Sequence, residues 1–176
     1  MIVVVLGGAR SGKSELAERR VTALAGSEPV TYVATALPDR ADPSWTDRIA
    51  RHRARRPQHW VTVDAGGDLA GLLAATAGPV LLDSLGPWVA AQVEAQPDGA
   101  ALAEALAGRP GHTVVVSDEV GLSVHPPTAA GRWFVDALGT VNRAVAAVAD
   151  EAWLVVAGRV VALAPEPVWP AADGPR

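Results

Sequence analysis

Short runs rich in valine and leucine, bounded by glycine, proline or aspartate, alternate along the chain with longer stretches in which apolar residues return every three or four positions. Continuous apolar runs of strand length mark strands buried on both faces, and their alternation with helical periodicity is the signature of a parallel sheet wrapped by helices. The pattern predicts strands at 2–6 (IVVVL), 30–35 (VTYVAT), 60–64 (WVTVD), 80–83 (VLLD), 113–117 (TVVVS), 153–157 (WLVVA) and 160–164 (VVALA). Only Gly158 and Arg159 separate the last two, and two residues join antiparallel neighbours alone. The sheet is therefore expected to end in a hairpin, with Gly158 in the positive-φ position of a tight turn.

Helices are predicted at about 13–25, 44–56, 67–76, 85–95, 100–107 and 128–149. The last carries Thr128 as a cap and Phe134, Leu138, Val141, Val145 and Val148 at helical spacing. The expected architecture is α/β, a three-layer P-loop NTPase-like fold: a mostly parallel sheet flanked by helices, with a C-terminal antiparallel hairpin. It occupies a single nucleotide-binding domain at 1–164, followed by a proline-rich tail at 165–176 that contains Trp169.

Composition narrows the chemistry. The chain has 176 residues, enough for one well-packed domain, and 49% of them are apolar with only eight aromatics. A net charge of −4 argues against nucleic acid or an anionic membrane as a general partner. The absence of cysteine excludes disulfides, thiolate catalysis and Cys-ligated zinc. No run approaches the length of a transmembrane segment and "MIVVVLGG" lacks a basic leader, so the expected compartment is the cytoplasm.

The chain holds fourteen arginines and a single lysine, Lys13. Lys13 lies in "GGARSGKS" (7–14), which fits G-x-x-x-x-G-K-[ST] between a valine-rich strand and a plausible helix. With this composition a chance match arises about once in a thousand chains, before the flanking strand and helix are required. Gly7 and Gly12 are expected to take backbone angles that other residues avoid, so that the N–H groups of Gly7, Gly8, Ala9, Arg10, Ser11 and Gly12 can turn toward a phosphate at the helix N-terminus. The compact ammonium of Lys13 suits a place between two phosphates, where a planar guanidinium does not. Ser14 is positioned to ligate Mg²⁺. The second metal carboxylate is expected at a neighbouring strand end, at Asp83 after "PVLL", with Glu119 or Asp118 after "TVVVS" as weaker candidates. An N-K-x-D guanine-reading motif is impossible, because the only lysine is already in the loop.

A second constellation lies at 42–60, "DPSWTDRIARHRARRPQHW". On a helix Arg48, His52 and Arg56 share one stripe, with Arg55 beside it. Clustered guanidinium groups disfavour the imidazolium, which favours a neutral, nucleophilic His52, and they can hold a triphosphate whose α-phosphorus is attacked. Spacing alone favours a solvated arginine-rich helix with an incidental histidine.

The two constellations together resemble the bifunctional adenosylcobinamide kinase / adenosylcobinamide-phosphate guanylyltransferases of cobalamin assembly. The likeness runs through "GGARSGKS", "YVAT" (32–35), "RIARHRARRPQHW" (48–60), "LLDSL" (81–85), "SDEVGLSVHP" (117–126) and residues 131–158. The resemblance implies a kinase step on adenosylcobinamide with ATP or GTP as phosphoryl donor, then transfer of GMP from GTP through a guanylylated histidine, here His52, with release of pyrophosphate. It implies catalytic roles for Lys13 and His52, nucleotide contacts from Gly7 to Ser14 and from Thr35, Arg48, Arg55, Arg56, Asp83 and Glu119, and Mg²⁺ on Ser14 and Asp83. It also implies a homo-oligomer of trimeric character. "SDEVG" departs from the T-N-E-V-G of that pattern, and Asp118 puts an acceptor-only carboxylate where an amide donor is expected. Apolar surface is expected to receive the corrinoid, with Trp45, Trp60 and Trp88 as candidates, although core packing is the favoured reading of each. The competing readings are a P-loop small-metabolite kinase without a covalent intermediate and a non-catalytic nucleotide-binding module.

Overall fold

The computed structural model describes residues 1–36, 56–93 and 95–165. The predicted helix at 44–56, apart from Arg56, therefore lies outside the described residues, as do Trp45 and Trp169. The described elements are β1 (Ile2–Gly7), α1 (Lys13–Ala25), β2 (Thr31–Ala34), β3 (Val61–Asp64), α2 (Leu69–Ala75), β4 (Val80–Asp83), α3 (Leu85–Ala90), α4 (Gly99–Gly108), β5 (Thr113–Asp118), α5 (Ala129–Ala147), β6 (Glu151–Val156) and β7 (Arg159–Leu163).

The strands form one sheet in the order β3-β2-β4-β5-β1-β6-β7. All neighbours run parallel except β6 and β7. Strand alternation divides the core in two. Ile2, Val4 and Leu6 face α2 to α5, where Leu73, Leu85, Leu106, Leu138 and Val141 are fully or almost fully buried, while Val3 and Val5 face Ala17 and Val21 of α1. Each such side chain contributes about 1.5–3 kcal/mol by leaving water, so the valine-rich β1 is held firmly from both sides.

Local chemistry sets the helix ends. The Asp68, Asp98 and Thr128 side chains accept hydrogen bonds from the N–H groups of Gly71, Ala101 and Gly131, capping α2, α4 and α5 as side-chain acceptors do at N-termini. The expected helix at 85–95 stops at Ala90. Beyond Val89 no apolar residue faces the core, Val93 is exposed, and an isolated turn cannot sustain itself. The hairpin shifts by one residue from expectation: its loop is Ala157–Gly158, both with positive φ (50° and 74°), the geometry of a two-residue turn matched to the strand twist.

At the amino edge of the sheet the buried Arg109 acts as a staple. Its guanidinium donates to the carbonyls of Thr76 (2.9 Å), Gly78 (2.7 Å), Leu73 and His112 (3.4 Å each) and to the Thr113 hydroxyl. Burial lowers its pKa from the ordinary arginine value. The opposite, carboxyl edge is left to the phosphate loop.

Candidate active site

In a parallel sheet the carboxyl ends of the strands open onto one edge, and four of them meet here: β1 with the loop at 7–14, β5 with Asp118 and Glu119, β4 with Asp83 and Ser84, and β2 with Thr35. Register fixes their heights, pairing Gly7 with Asp118, Asp83 with Val116 and Ala34 with Asp83. Because β5 lies between β1 and β4, Asp83 reaches the loop from one strand away and Asp118 stands directly beside it.

The loop's glycines serve different purposes. Gly12 has φ +96° and starts α1 in a left-handed conformation, as expected. Gly7 has ordinary backbone angles, against expectation, and its requirement is space: a Cβ there would lie 2.7 Å from the Val155 carbonyl oxygen of β6 and 2.6 Å from Ser11 Oγ. Arg10 adopts φ 58° without being glycine.

Lys13 is buried, and its Nζ donates to the Gly8 carbonyl at 3.1 Å and lies 2.8 Å from Asp118 Oδ1. Asp118 is itself braced: Asn142 Nδ2 donates to its carbonyl (3.1 Å), and Ser117 Oγ donates to Asn142 Oδ1 (2.6 Å). A Cβ at Gly86 would fall 2.7 Å from Asp118 Oδ2, so the start of α3 lies against this carboxylate. Ser14 Oγ donates to Asp83 Oδ1 at 3.4 Å, and Asp83 Oδ2 accepts the Tyr32 hydroxyl at 2.9 Å. Burial pushes the Tyr32 phenol far above its ordinary value of 10.0; the Asp83 charge pushes the same way and the Arg56 charge opposes it. The phenol thus stays protonated and donates.

A hydroxyl and a carboxylate, both hard oxygen donors, face each other at Ser14 and Asp83, which suits a small divalent cation that takes its remaining ligands from phosphates and water. Among the described residues no group of three or more His, Cys, Asp or Glu could form an all-protein metal cage.

The structure thus brings Gly7 to Ser14, Thr35, Asp83 and Glu119 to one edge. Thr35 Oγ1 donates to the Ser84 carbonyl and accepts from the Ser84 N–H, tying β2 to β4, and the Glu119 N–H donates to the Gly7 carbonyl (3.2 Å). Arg56 is engaged beside the site: its guanidinium carbon lies 3.2 Å from the centroid of the Tyr32 ring and its Nη1 donates to Thr62 Oγ1 (3.2 Å). Arg48, His52 and Arg55 lie outside the described residues. Trp60 and Trp88 are buried in the two halves of the core, which is the packing alternative for both. Tyr32 and Asn142 escaped the sequence reading; the only available signal was that the chain's one tyrosine opens the "YVAT" segment.

A strand–loop–helix of this form, with a carboxylate one strand away, defines a nucleotide-binding P-loop fold. In keeping with it, the solved structure of an ATPase from the type III secretion system of pathogenic bacteria overlays with a TM-score of 0.52 at 12% identity, covering 87% of this chain and half of that one. Residues 3–163 match the model of the cobinamide kinase / cobinamide phosphate guanyltransferase family, and the chain belongs to that family. It is 40% identical over 174 residues to the bifunctional adenosylcobalamin biosynthesis protein CobP of Pseudomonas aeruginosa, covering 94% of this chain and 98% of that one. It is 36% identical over 181 residues to the bifunctional adenosylcobalamin biosynthesis protein CobU of Salmonella typhimurium, covering 90% and 97% respectively.

Proposed function

We propose that this chain phosphorylates adenosylcobinamide and then guanylylates the product, using the phosphate loop for the nucleotide and His52 as a covalent carrier of GMP. The observation that carries the reading is the meeting of Lys13, Ser14 and Asp83 at one sheet edge in a chain of this family. In the kinase step the aminopropanol hydroxyl forms a bond to the γ-phosphorus of ATP or GTP, the bridging bond to the β-phosphate breaks, and the hydroxyl proton leaves to solvent. Lys13 turns from Asp118 to the phosphates and offsets the charge that develops on them. Ser14 and Asp83 would hold Mg²⁺, which would supply neutralisation of the phosphate charge.

In the second step a ring nitrogen of His52 bonds to the α-phosphorus of GTP and pyrophosphate leaves. A phosphate oxygen of the phosphorylated corrinoid then attacks the same phosphorus, and the N–P bond breaks to give adenosylcobinamide-GDP. Two displacements replace one difficult transfer. Arg48 and Arg55 serve this step by holding the triphosphate. The described end of the arginine-rich segment supports the pairing of the two centres: Arg56, four residues beyond His52 in the sequence, lies on the Tyr32 ring that contacts Asp83.

Incubation with GTP labelled at the α- or the γ-phosphorus, followed by denaturation, tests the reading. The expected result is acid-labile, alkali-stable label retained from the α position only and lost in His52→Ala. Absence of retained label from wild-type protein that converts the corrinoid phosphate would refute it.

A further inference from the structure

The carboxylate that faces Ser14 is gripped from behind. Tyr32 and Asp83 lie on the same face of neighbouring strands, with Tyr32 in register with Leu81, so the phenol reaches diagonally across to Asp83 Oδ2 at 2.9 Å while Oδ1 faces Ser14 Oγ at 3.4 Å. The far side of the same ring carries the Arg56 guanidinium, anchored in turn on Thr62. A continuous line of contacts therefore runs from Arg56, the last arginine of the arginine–histidine segment, through one tyrosine, to the carboxylate beside the phosphate loop.

We propose that Tyr32 is a positioning residue for Asp83, a role that rests on the reading of Asp83 as the magnesium carboxylate. The terminal torsion of an aspartate is soft, so each hydrogen bond to a carboxylate oxygen narrows its swing. The Tyr32 hydroxyl occupies Oδ2 and thereby keeps Oδ1 turned to Ser14 and the cation; Arg56, stacked on the ring, keeps the phenol from moving away from it. Packing does not explain the hydroxyl, since a phenylalanine ring would fill the same space and stack under the same guanidinium, and a buried hydroxyl is costly unless it is bonded. Its bond goes to the one carboxylate that the phosphate loop needs.

The test is binding of a fluorescent GTP analogue to the full chain, first in EDTA and then as Mg²⁺ is titrated, for wild type, Tyr32→Phe and Asp83→Asn. Partners outside the first coordination sphere tune metal affinity by about 10-fold or more, so Tyr32→Phe is expected to move the Mg²⁺ midpoint up by about that factor. Its affinity in EDTA and its melting temperature should stay close to wild type, and Asp83→Asn should move the midpoint further. An unchanged midpoint in Tyr32→Phe alongside a shifted one in Asp83→Asn would overturn the positioning role and leave the metal reading standing. An unchanged midpoint in Asp83→Asn would overturn both. Equal weakening of Tyr32→Phe with and without Mg²⁺ would assign the hydroxyl to packing and also overturn the role.

Discussion

If Lys13 serves the nucleotide as proposed, Asp118 competes with the nucleotide for this lysine, the only one in the chain, and replacing Asp118 by asparagine should tighten binding. With Nζ and Oδ1 at 2.8 Å, a bare Coulomb energy at an effective dielectric constant of 20 is about 6 kcal/mol. That is an upper bound, because the Asp118 side chain is 34% exposed and solvation and salt cancel most of the attraction of such pairs. A net about 1–2 kcal/mol remains, equivalent to about 5- to 30-fold in an equilibrium constant. Repulsion between this carboxylate and a bound triphosphate acts in the same direction. The Asn142 bond goes to the Asp118 main-chain carbonyl and survives the change, so the fold should not suffer. The assay is calorimetric titration of GTP with Mg²⁺ into wild type, Asp118→Asn and Asp118→Ala at about 0.1 M salt, where screening reaches about 10 Å. Both variants should bind more tightly than wild type, with the gap narrowing as salt rises. Weaker or unchanged binding in both variants would refute competition; tightening in Asp118→Asn alone would assign the gain to the new amide donor instead.

Other consequences follow from the same geometry. Gly7→Ala must displace either the Val155 carbonyl or Ser11, both under 3.0 Å from the added carbon, and should reduce GTP affinity at least about 10-fold, a cost of about 1.4 kcal/mol, by titration; near-wild-type affinity would show that the loop has room. Arg109→Ala leaves several carbonyls at the amino edge without their charged donor, and should destabilise the fold by about 3 kcal/mol, or about 6–12 °C in melting temperature. Its GTP affinity at 20 °C should be unchanged, because the staple is at the far edge from the phosphate loop. The raised Tyr32 pKa means that the unfolded chain releases the phenol proton at a lower pH than the folded one. Stability should therefore fall as pH rises above the ordinary value of 10.0, and chemical denaturation series should show a shallower alkaline decline in Tyr32→Phe.

Local pattern carried most of the elements, because strands buried on both faces and capped helices announce themselves in neighbouring residues: IVVVL, the Thr128 cap and the phosphate loop all depend on a few consecutive positions. What escaped depends on strand order. Tyr32 and Asp83 are 51 residues apart and meet only because β2 pairs with β4. Lys13 meets Asp118 only because β5 is inserted next to β1. The departure at Asp118 was visible as a changed letter, but its consequence was not, since nothing local to 117–121 says that the lysine lies opposite. Gly7 shows the same limit at smaller scale: the need for a glycine was legible, whereas its cause, the nearby β6 backbone, belongs to the assembled sheet.

The covalent step is tested most directly by finding where GMP resides. Wild-type protein incubated with GTP and Mg²⁺, quenched in alkali, digested and analysed by tandem mass spectrometry offers four histidines, at positions 52, 59, 112 and 125. The guanylyl group should be found on His52 alone, and should disappear when the phosphorylated corrinoid is added before the quench. A guanylyl group on His59 or any other residue, or none while corrinoid phosphate is still converted, would contradict the account.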